Sequence, residues 1–138
     1  MDVHSRETRS YNMSRIRGTN TKPELLVRKY LFSQGFRYKI NDKKLPGKPD
    51  VVLPKYKTVI FINGCFWHGH DGCRYFVVPK TRTEWWLSKI KMTKLNDNIN
   101  HMALKNIGWK VLIIWECELR PDRRDETLSR ICNVLKNI

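Results

Sequence analysis

The sequence predicts an α/β fold in which helices flank a central sheet. Helix and strand patterns alternate along the 138 residues, and a chain of this length supports one hydrophobic core. The most apolar strand pattern covers residues 59–62, where Asn63-Gly64 breaks it. The loop that follows is rich in thiol, imidazole and aromatic side chains. We therefore expect a functional loop at the end of a buried strand.

The charge balance indicates a polyanionic partner. Lys and Arg number 27 against 13 Asp and Glu, a formal net charge of +14, which is typical of nucleic-acid-binding proteins. The chain has no apolar run of membrane-spanning length, and its first ten residues lack a signal-peptide core. We expect a cytoplasmic, nucleoid-associated monomer with no membrane partner. Its four cysteines should stay reduced there, which favours metal binding over disulfides.

Residues 1–20 are predicted to form a flexible basic arm, and residues 21–138 a single domain. The arm is rich in arginine and contains few apolar residues. Arg15 and Arg17 are its expected DNA contacts, and the arm would become ordered on binding DNA. A frayed terminus without such contacts is the alternative.

The first helix is predicted to begin at Thr21 and end at Gly35. Thr21 is a suitable N-cap, Pro23 fits the first turn, and Glu24 completes a capping-box pattern. Glu24 has two interpretations. The residues alone favour a capping carboxylate, but a helix start in a small α/β fold often faces the site, so a role in supporting catalysis is also open.

Three strand patterns follow this helix. Residues 36–40 alternate between apolar and polar, and Asp50 opens a short apolar run that should pair with residues 58–62 as a hairpin. This pairing would bring Asp50 beside the end of the neighbouring strand at Ile62. One carboxylate and a strand-end carbonyl form a workable Mg²⁺ site, because this ion keeps several of its waters. A turn role is the alternative for Asp50.

The second half of the chain predicts a long helix, a buried strand and a last helix. The long helix begins with a capping pattern at residues 81–84 and ends at Gly108, and the strand covers residues 109–115. The last helix spans about residues 124–136, with Cys132 as a core thiol on its inward stripe. The apolar positions of the long helix are Trp86, Leu87, Ile90, Leu95, Ile99, Met102 and Leu104.

Four possible metal ligands stand out. Cys65, His70 and Cys73 lie within nine residues, and Cys117 follows the strand expected beside residues 58–62. A set of three cysteines and one histidine would complete a tetrahedral structural zinc site. Reduced cysteines in a polar loop are the alternative. His68 lies outside the set, and an uncommitted imidazole suits proton transfer near neutral pH.

Four segments carry a family resemblance. They are LPGKPDVV (residues 45–52), VIFINGCFWHGH (59–70), VPKTRTEWW (78–86) and GWKVLIIWECEL (108–119). They resemble the very-short-patch-repair (Vsr) mismatch endonucleases. The resemblance implies a restriction-endonuclease-like fold with a central mixed β-sheet and a structural zinc site. It also implies Mg²⁺-dependent nicking 5′ to the T of a T:G mismatch, left by deamination of 5-methylcytosine, and a functional link to a DNA cytosine methyltransferase.

The resemblance also implies roles for individual residues. Asp50 becomes the metal-binding carboxylate, the Ile62 backbone carbonyl a second Mg²⁺ ligand, and His68 the proton-transfer residue. Glu24 becomes a supporting carboxylate. The implied zinc ligands are Cys65, His70, Cys73 and Cys117, and the implied DNA wedges are Phe66, Trp67 and Trp86.

Two features depart from the family pattern. Ile62-Asn63 stands where Thr-His is usual, which removes one imidazole and leaves Asn63 a hydrogen-bonding role at most. The loop also has one extra residue between His70 and Cys73, which predicts a reshaped zinc loop. Two alternative functions remain open. One is a nuclease of the same fold with relaxed mismatch specificity. The other is a non-catalytic, zinc-stabilised DNA-binding module. Only Asp50 and His68 distinguish an enzyme from such a module.

Overall fold

The computed structural model describes residues 21–137. The predicted arm, with Arg15 and Arg17, lies outside these residues. The helices are α1 (Lys22–Ser33), α2 (Thr83–Asn106) and α3 (Arg124–Lys136), and the strands are β1 (Lys39–Ile40), β2 (Val51–Leu53), β3 (Thr58–Asn63) and β4 (Lys110–Trp115). None of these helices is long and apolar enough to cross a membrane.

The strands form one mixed sheet in the order β1-β2-β3-β4. β2 and β3 are antiparallel, with Val51 opposite Ile60, which confirms the predicted hairpin. β4 runs parallel to β3, with Asn63 opposite Trp115. The carboxyl ends of β3 and β4 therefore lie side by side, and the loop that follows β3 begins at this edge.

Helices cover both faces of the sheet because strand side chains alternate between faces. On one face, Ile60, Ile62 and Ile114 pack against α1 and α3 in the larger core cluster. On the other face, Val59 and Phe61 pack against Leu104 of α2. The predicted α/β fold, a central mixed sheet flanked by helices, is confirmed.

The ends of α1 agree with the sequence prediction. The Thr21 hydroxyl accepts a long hydrogen bond of 3.5 Å from the backbone N–H of Glu24. Gly35 follows the helix with φ +87°, a conformation that favours glycine because it has no Cβ. Cys132 is buried on the inner face of α3, as predicted.

The strand predicted at residues 36–40 is wrong for its first half. Only Lys39–Ile40 is a strand. Phe36 is buried in the larger core, and its backbone N–H donates to the Leu31 carbonyl, 3.0 Å away. This backbone group completes the end of α1, so it is not available to a sheet.

The buried face of α2 is narrower than its apolar residues suggest. Ile90 and Leu104 are buried. The predicted apolar positions that are instead exposed are Leu87, Leu95, Ile99 and Met102. The face that contacts the rest of the fold carries polar groups as well, among them the buried His101, so apolar spacing alone does not identify it.

Candidate active site and metal centre

Asp50 and the end of β3 lie together because β2 and β3 are antiparallel. Asp50 directly precedes β2, and its carboxylate Oδ2 accepts a hydrogen bond of 2.7 Å from the Ile62 backbone N–H. The proximity predicted from the hairpin is therefore present.

The Ile62 carbonyl points to the same edge as its N–H, because both groups of a strand residue face the same neighbour. Continuing the observed register from Val51 opposite Ile60 puts Pro49 opposite Ile62. Proline has no N–H to donate, so it cannot give this carbonyl the usual ladder hydrogen bond. The Asp50 carboxylate and the Ile62 carbonyl thus offer two oxygens at one strand end.

The pKa of Asp50 is raised from 3.8 to about 6, chiefly by burial and also by the nearby negative charge of Glu24. The hydrogen bond from the Ile62 N–H opposes this rise, as do the charges of His68 and Arg28. A carboxylate that is costly to ionise and lies near a second carboxylate is stabilised by a cation. The donor set therefore fits Mg²⁺, which prefers carboxylate and carbonyl oxygens.

Glu24 lies in the first turn of α1, near enough to Asp50 to affect its pKa. Its side chain is buried, and its carboxylate accepts a hydrogen bond from the Arg28 guanidinium at 2.9 Å. Both groups act electrostatically on Asp50. The backbone N–H of Glu24 takes part in the cap, while its carboxylate pairs with Arg28. A catalytic role for this carboxylate stays a prediction.

His68 is held by a carboxylate that sequence reasoning missed. Its Nδ1 lies 2.7 Å from Oδ2 of Asp97, which belongs to α2. With Nδ1–H donating to Asp97, the Nε2 atom of a neutral ring is the one that can accept a proton. The loop after β3 and the middle of α2 together build this pair.

One cleft of about 220 Å³ joins these groups. Its lining includes Asp50, Ile62, Asn63, His68 and Asp97. Asn63 is buried at the end of β3. Asn100 and His101 of α2 also line the cleft, and sequence reasoning missed both. The signal for them in the sequence was that the polar residues at positions 97, 100 and 101 share one face of the predicted long helix.

The four predicted zinc ligands converge beside this cleft. The ligand atoms of Cys65, His70, Cys73 and Cys117 all lie within 4.8 Å of one another. The loop closes because the His70 N–H donates to the Cys65 carbonyl at 2.9 Å and the Cys73 N–H to the His70 carbonyl at 3.3 Å. The residue before Cys73 is Gly72, whose φ of +73° allows the tight turn.

The pKa shifts of the three thiols fit a metal site. Burial raises the pKa of Cys65 to about 12, and burial also raises the pKa of Cys117. Desolvation acts to raise the pKa of Cys73, but hydrogen bonds from backbone N–H groups and from the other two thiols together outweigh it, and this pKa is lowered. Three adjacent thiolates repel one another and need a cation to coexist. Sulfur and imidazole donors of this kind suit a divalent metal such as Zn²⁺.

The predicted DNA wedges form an aromatic cluster at the surface. The Phe66 ring lies 5.2 Å from that of Trp67 and 5.3 Å from that of Trp86. Trp67 is 52% exposed. The Trp67 ring is therefore not part of the hydrophobic core. The cluster joins the loop after β3 to the first turn of α2.

Comparison with known proteins identifies close relatives. The family profile described as DNA mismatch endonuclease Vsr matches residues 1–74. The type II nicking enzyme V.NmeAIP of Neisseria meningitidis serogroup A is 52% identical over 137 residues, which cover 99% of this chain and 97% of the relative. The DNA mismatch endonuclease Vsr of Escherichia coli K12 is 45% identical over 130 residues, 93% of this chain and 83% of the relative. The type II nicking enzyme V.XorIIP of Xanthomonas oryzae pv. oryzae is 45% identical over 118 residues, 86% of each chain.

Proposed function

The chain belongs to the DNA mismatch endonuclease Vsr family, and from this premise we propose that it nicks one DNA strand 5′ to the T of a T:G mismatch, with Mg²⁺ as cofactor. As a member of this family it is a DNA endonuclease. The observation that carries the finer proposal is the single cleft that contains both Asp50 and His68. The net charge of +14 suits a duplex DNA partner.

Asp50 and the Ile62 carbonyl would hold the Mg²⁺ ion. When bound there, the ion supplies stabilisation of negative charge on the phosphate and the leaving oxygen. The hydrogen bond from the Ile62 N–H at 2.7 Å fixes the orientation of the Asp50 carboxylate. Pre-positioned oxygens of this kind reduce the cost of ordering the site during the reaction.

His68 would accept the proton of the attacking water at Nε2. Asp97 holds the ring through Nδ1 and stabilises the imidazolium that forms. An amide is neither an acid nor a base near neutral pH, so Asn63 would not transfer a proton. It would instead donate a hydrogen bond to the phosphate. Glu24 and Arg28 of α1 form a buried ion pair, and their charges would shift the pKa of Asp50 in opposite directions.

Mismatch recognition would use the aromatic cluster of Phe66, Trp67 and Trp86. Apolar side chains that enter a base step cost unstacking energy, and this cost is lower where the pair is already distorted. Phe66 and Trp67 lie on the same loop as His68. Insertion of these rings would therefore bring the scissile phosphate and the proton acceptor together.

Zinc at the four-ligand cluster would be structural. Three cysteines and one histidine complete a tetrahedral shell and leave no position for substrate. Cys117 follows β4, whereas the other three ligands belong to the loop after β3. The ion would therefore fasten the catalytic loop to the neighbouring strand.

The proposed role extends to partners and location. T:G mismatches arise by deamination of 5-methylcytosine, so the enzyme would be linked in function to a DNA cytosine methyltransferase. Because its substrate is DNA, it would act at the nucleoid in the cytoplasm. One chain contains every residue of both sites, so a single copy is sufficient for the cut. Arg15 and Arg17 of the arm would add contacts to the DNA backbone.

A nicking assay tests the proposal. End-labelled duplexes that contain T:G, another mismatch or a fully paired step are incubated with and without Mg²⁺. We expect Mg²⁺-dependent cleavage of one strand, immediately 5′ to the T, and much faster cleavage of T:G than of the other duplexes. Equal cleavage of all three would instead establish a nuclease with relaxed specificity.

A further inference from the structure

Helix α2 has a second apolar face that points away from the sheet. Its buried residues Ile90 and Leu104 face the rest of the domain. Residues two positions away lie about 200° around a helix, and so on the opposite side. Several large apolar side chains occupy that side. Met92 is 56% exposed, Leu95 54%, Ile99 58% and Met102 65%.

These side chains follow the spacing of a coiled coil. Positions 85, 88, 92, 95, 99 and 102 alternate by three and four residues, and all of them are apolar except Ser88. Across three heptads, five of the six a and d positions are therefore apolar, which is the pattern of a helix that packs on another helix. We call these six residues the α2 seam. Among the described helices, only α2 packs on its face of the sheet, so no element within residues 21–137 covers its outer side.

We propose that the α2 seam binds the α2 seam of a second copy of this chain, with the two helices antiparallel. In this register, Met92 meets Leu95 of the second copy, twice by symmetry. Ser88 meets Ile99, and Trp85 meets Met102. Every seam residue thus packs on a different residue type, and each bulky indole faces a flexible methionine.

The charges beside the seam are compatible with this register. Glu84 of one copy lies next to Lys105 of the other, which gives two opposite-charge pairs. Lys91 faces Asn98, and Lys89 faces Asn96. No lysine faces another lysine. The antiparallel direction also separates the two helix starts, where Arg82 stacks on Trp85 and the aromatic clusters lie.

The exposed area of the seam indicates a small interface. Five apolar seam residues that each bury roughly 100 Å² would give about 1,000 Å² over both copies, near the lower limit for specific interfaces. A weak, reversible dimer is therefore expected, with dissociation in the micromolar range. Each copy retains a complete active site, so the monomer expected from the sequence suffices for cutting, and it is the main species at low protein concentration.

Sedimentation velocity over about 1 to 200 µM protein tests the association. We expect a monomer that converts to a dimer, and tighter association at higher salt, because salt screens the repulsion between two chains of charge +14. Leu95→Lys should weaken the dimer by about 10-fold or more. Leu87→Lys is the matched control, since Leu87 is similarly exposed but lies off the seam. A monomer throughout the range, or equal effects of the two variants, would overturn the proposal.

Zero-length carbodiimide cross-linking tests the direction. Glu84 and Lys105 lie 21 residues apart in one helix, or about 30 Å along its axis. A direct bond between these side chains can therefore form only between copies. We expect this cross-linked peptide in the dimer fraction and its loss in Lys105→Arg, which keeps the charge. A dimer that lacks the cross-link in the wild-type protein would overturn the antiparallel register.

Discussion

Replacing Asp50 by asparagine should stabilise the metal-free protein while it abolishes nicking. The pKa of Asp50 is raised from 3.8 to about 6, chiefly by burial. The folded protein therefore favours the neutral carboxyl. The stability that the neutral Asp50 carboxyl contributes is fully present below pH 3.8 and is lost as the pH rises through about 6. Asparagine is neutral at every pH and retains an oxygen that can accept the Ile62 N–H.

The size of the effect follows from the shift. About two pKa units at about 1.4 kcal/mol each give up to about 3 kcal/mol of unfolding free energy above pH 7. For a domain of this size, the melting temperature should rise by roughly 3 °C per kcal/mol. The gain should shrink as the pH falls and vanish near pH 4, where aspartate also becomes neutral.

Urea unfolding at pH 5 and pH 8, in buffer free of Mg²⁺, measures the difference. Zinc content is determined in parallel, and chelators are avoided because they would remove zinc as well. Asp122→Asn is the matched control, since Asp122 is exposed. Adding Mg²⁺ should stabilise the wild-type protein and leave Asp50→Asn unchanged. An Asp50→Asn protein that is no more stable at pH 8 than the wild type would refute the electrostatic reasoning.

Three further predictions concern the metal centre, proton transfer and the wedge. Cys117→Ser should lose stoichiometric zinc by metal analysis and melt at a lower temperature, whereas a zinc-free wild-type protein would contradict the site. His68→Ala should slow single-turnover nicking by about 100-fold or more and Asn63→Ala only modestly, so equal losses would mean that the roles are divided wrongly. Replacing Phe66 and Trp67 together by alanine should remove about 1 to 3 kcal/mol of stacking per ring and reduce T:G binding selectively. Binding to paired DNA at two salt concentrations and the melting temperature provide its controls, and parallel loss of both affinities with a large drop in melting temperature would assign these rings to the fold.

The sequence predicted those parts of the site whose residues lie in one short segment or in two paired strands. Turn residues between two apolar runs predicted the hairpin, and the hairpin brought Asp50 to Ile62. Closely spaced ligands predicted the cluster of Cys65, His70 and Cys73, and the strand pairing added Cys117. In each case the relevant contacts follow from strand pairing or from a loop of a few residues.

Contacts between distant elements could not be predicted in this way. Asp97 is 29 residues from His68 in sequence, and only the packing of α2 across the sheet brings them together. The short β1 was mispredicted because the backbone of Phe36 is used by the end of α1. The buried face of α2 was obscured because apolar residues occur on both sides of the helix. Apolar spacing alone could not show which of these two sides packs on the sheet.

The central claim is that the cleft of Asp50 and His68 is the nicking site. Its most direct test compares the wild type, Asp50→Asn and His68→Ala on one T:G duplex, with binding and single-turnover nicking measured side by side. We predict that both variants bind the duplex about as tightly as the wild type and nick it at least about 100-fold more slowly. Near wild-type nicking by either variant would remove that residue from the site. A wild-type protein that binds T:G DNA but never nicks it would contradict the account as a whole.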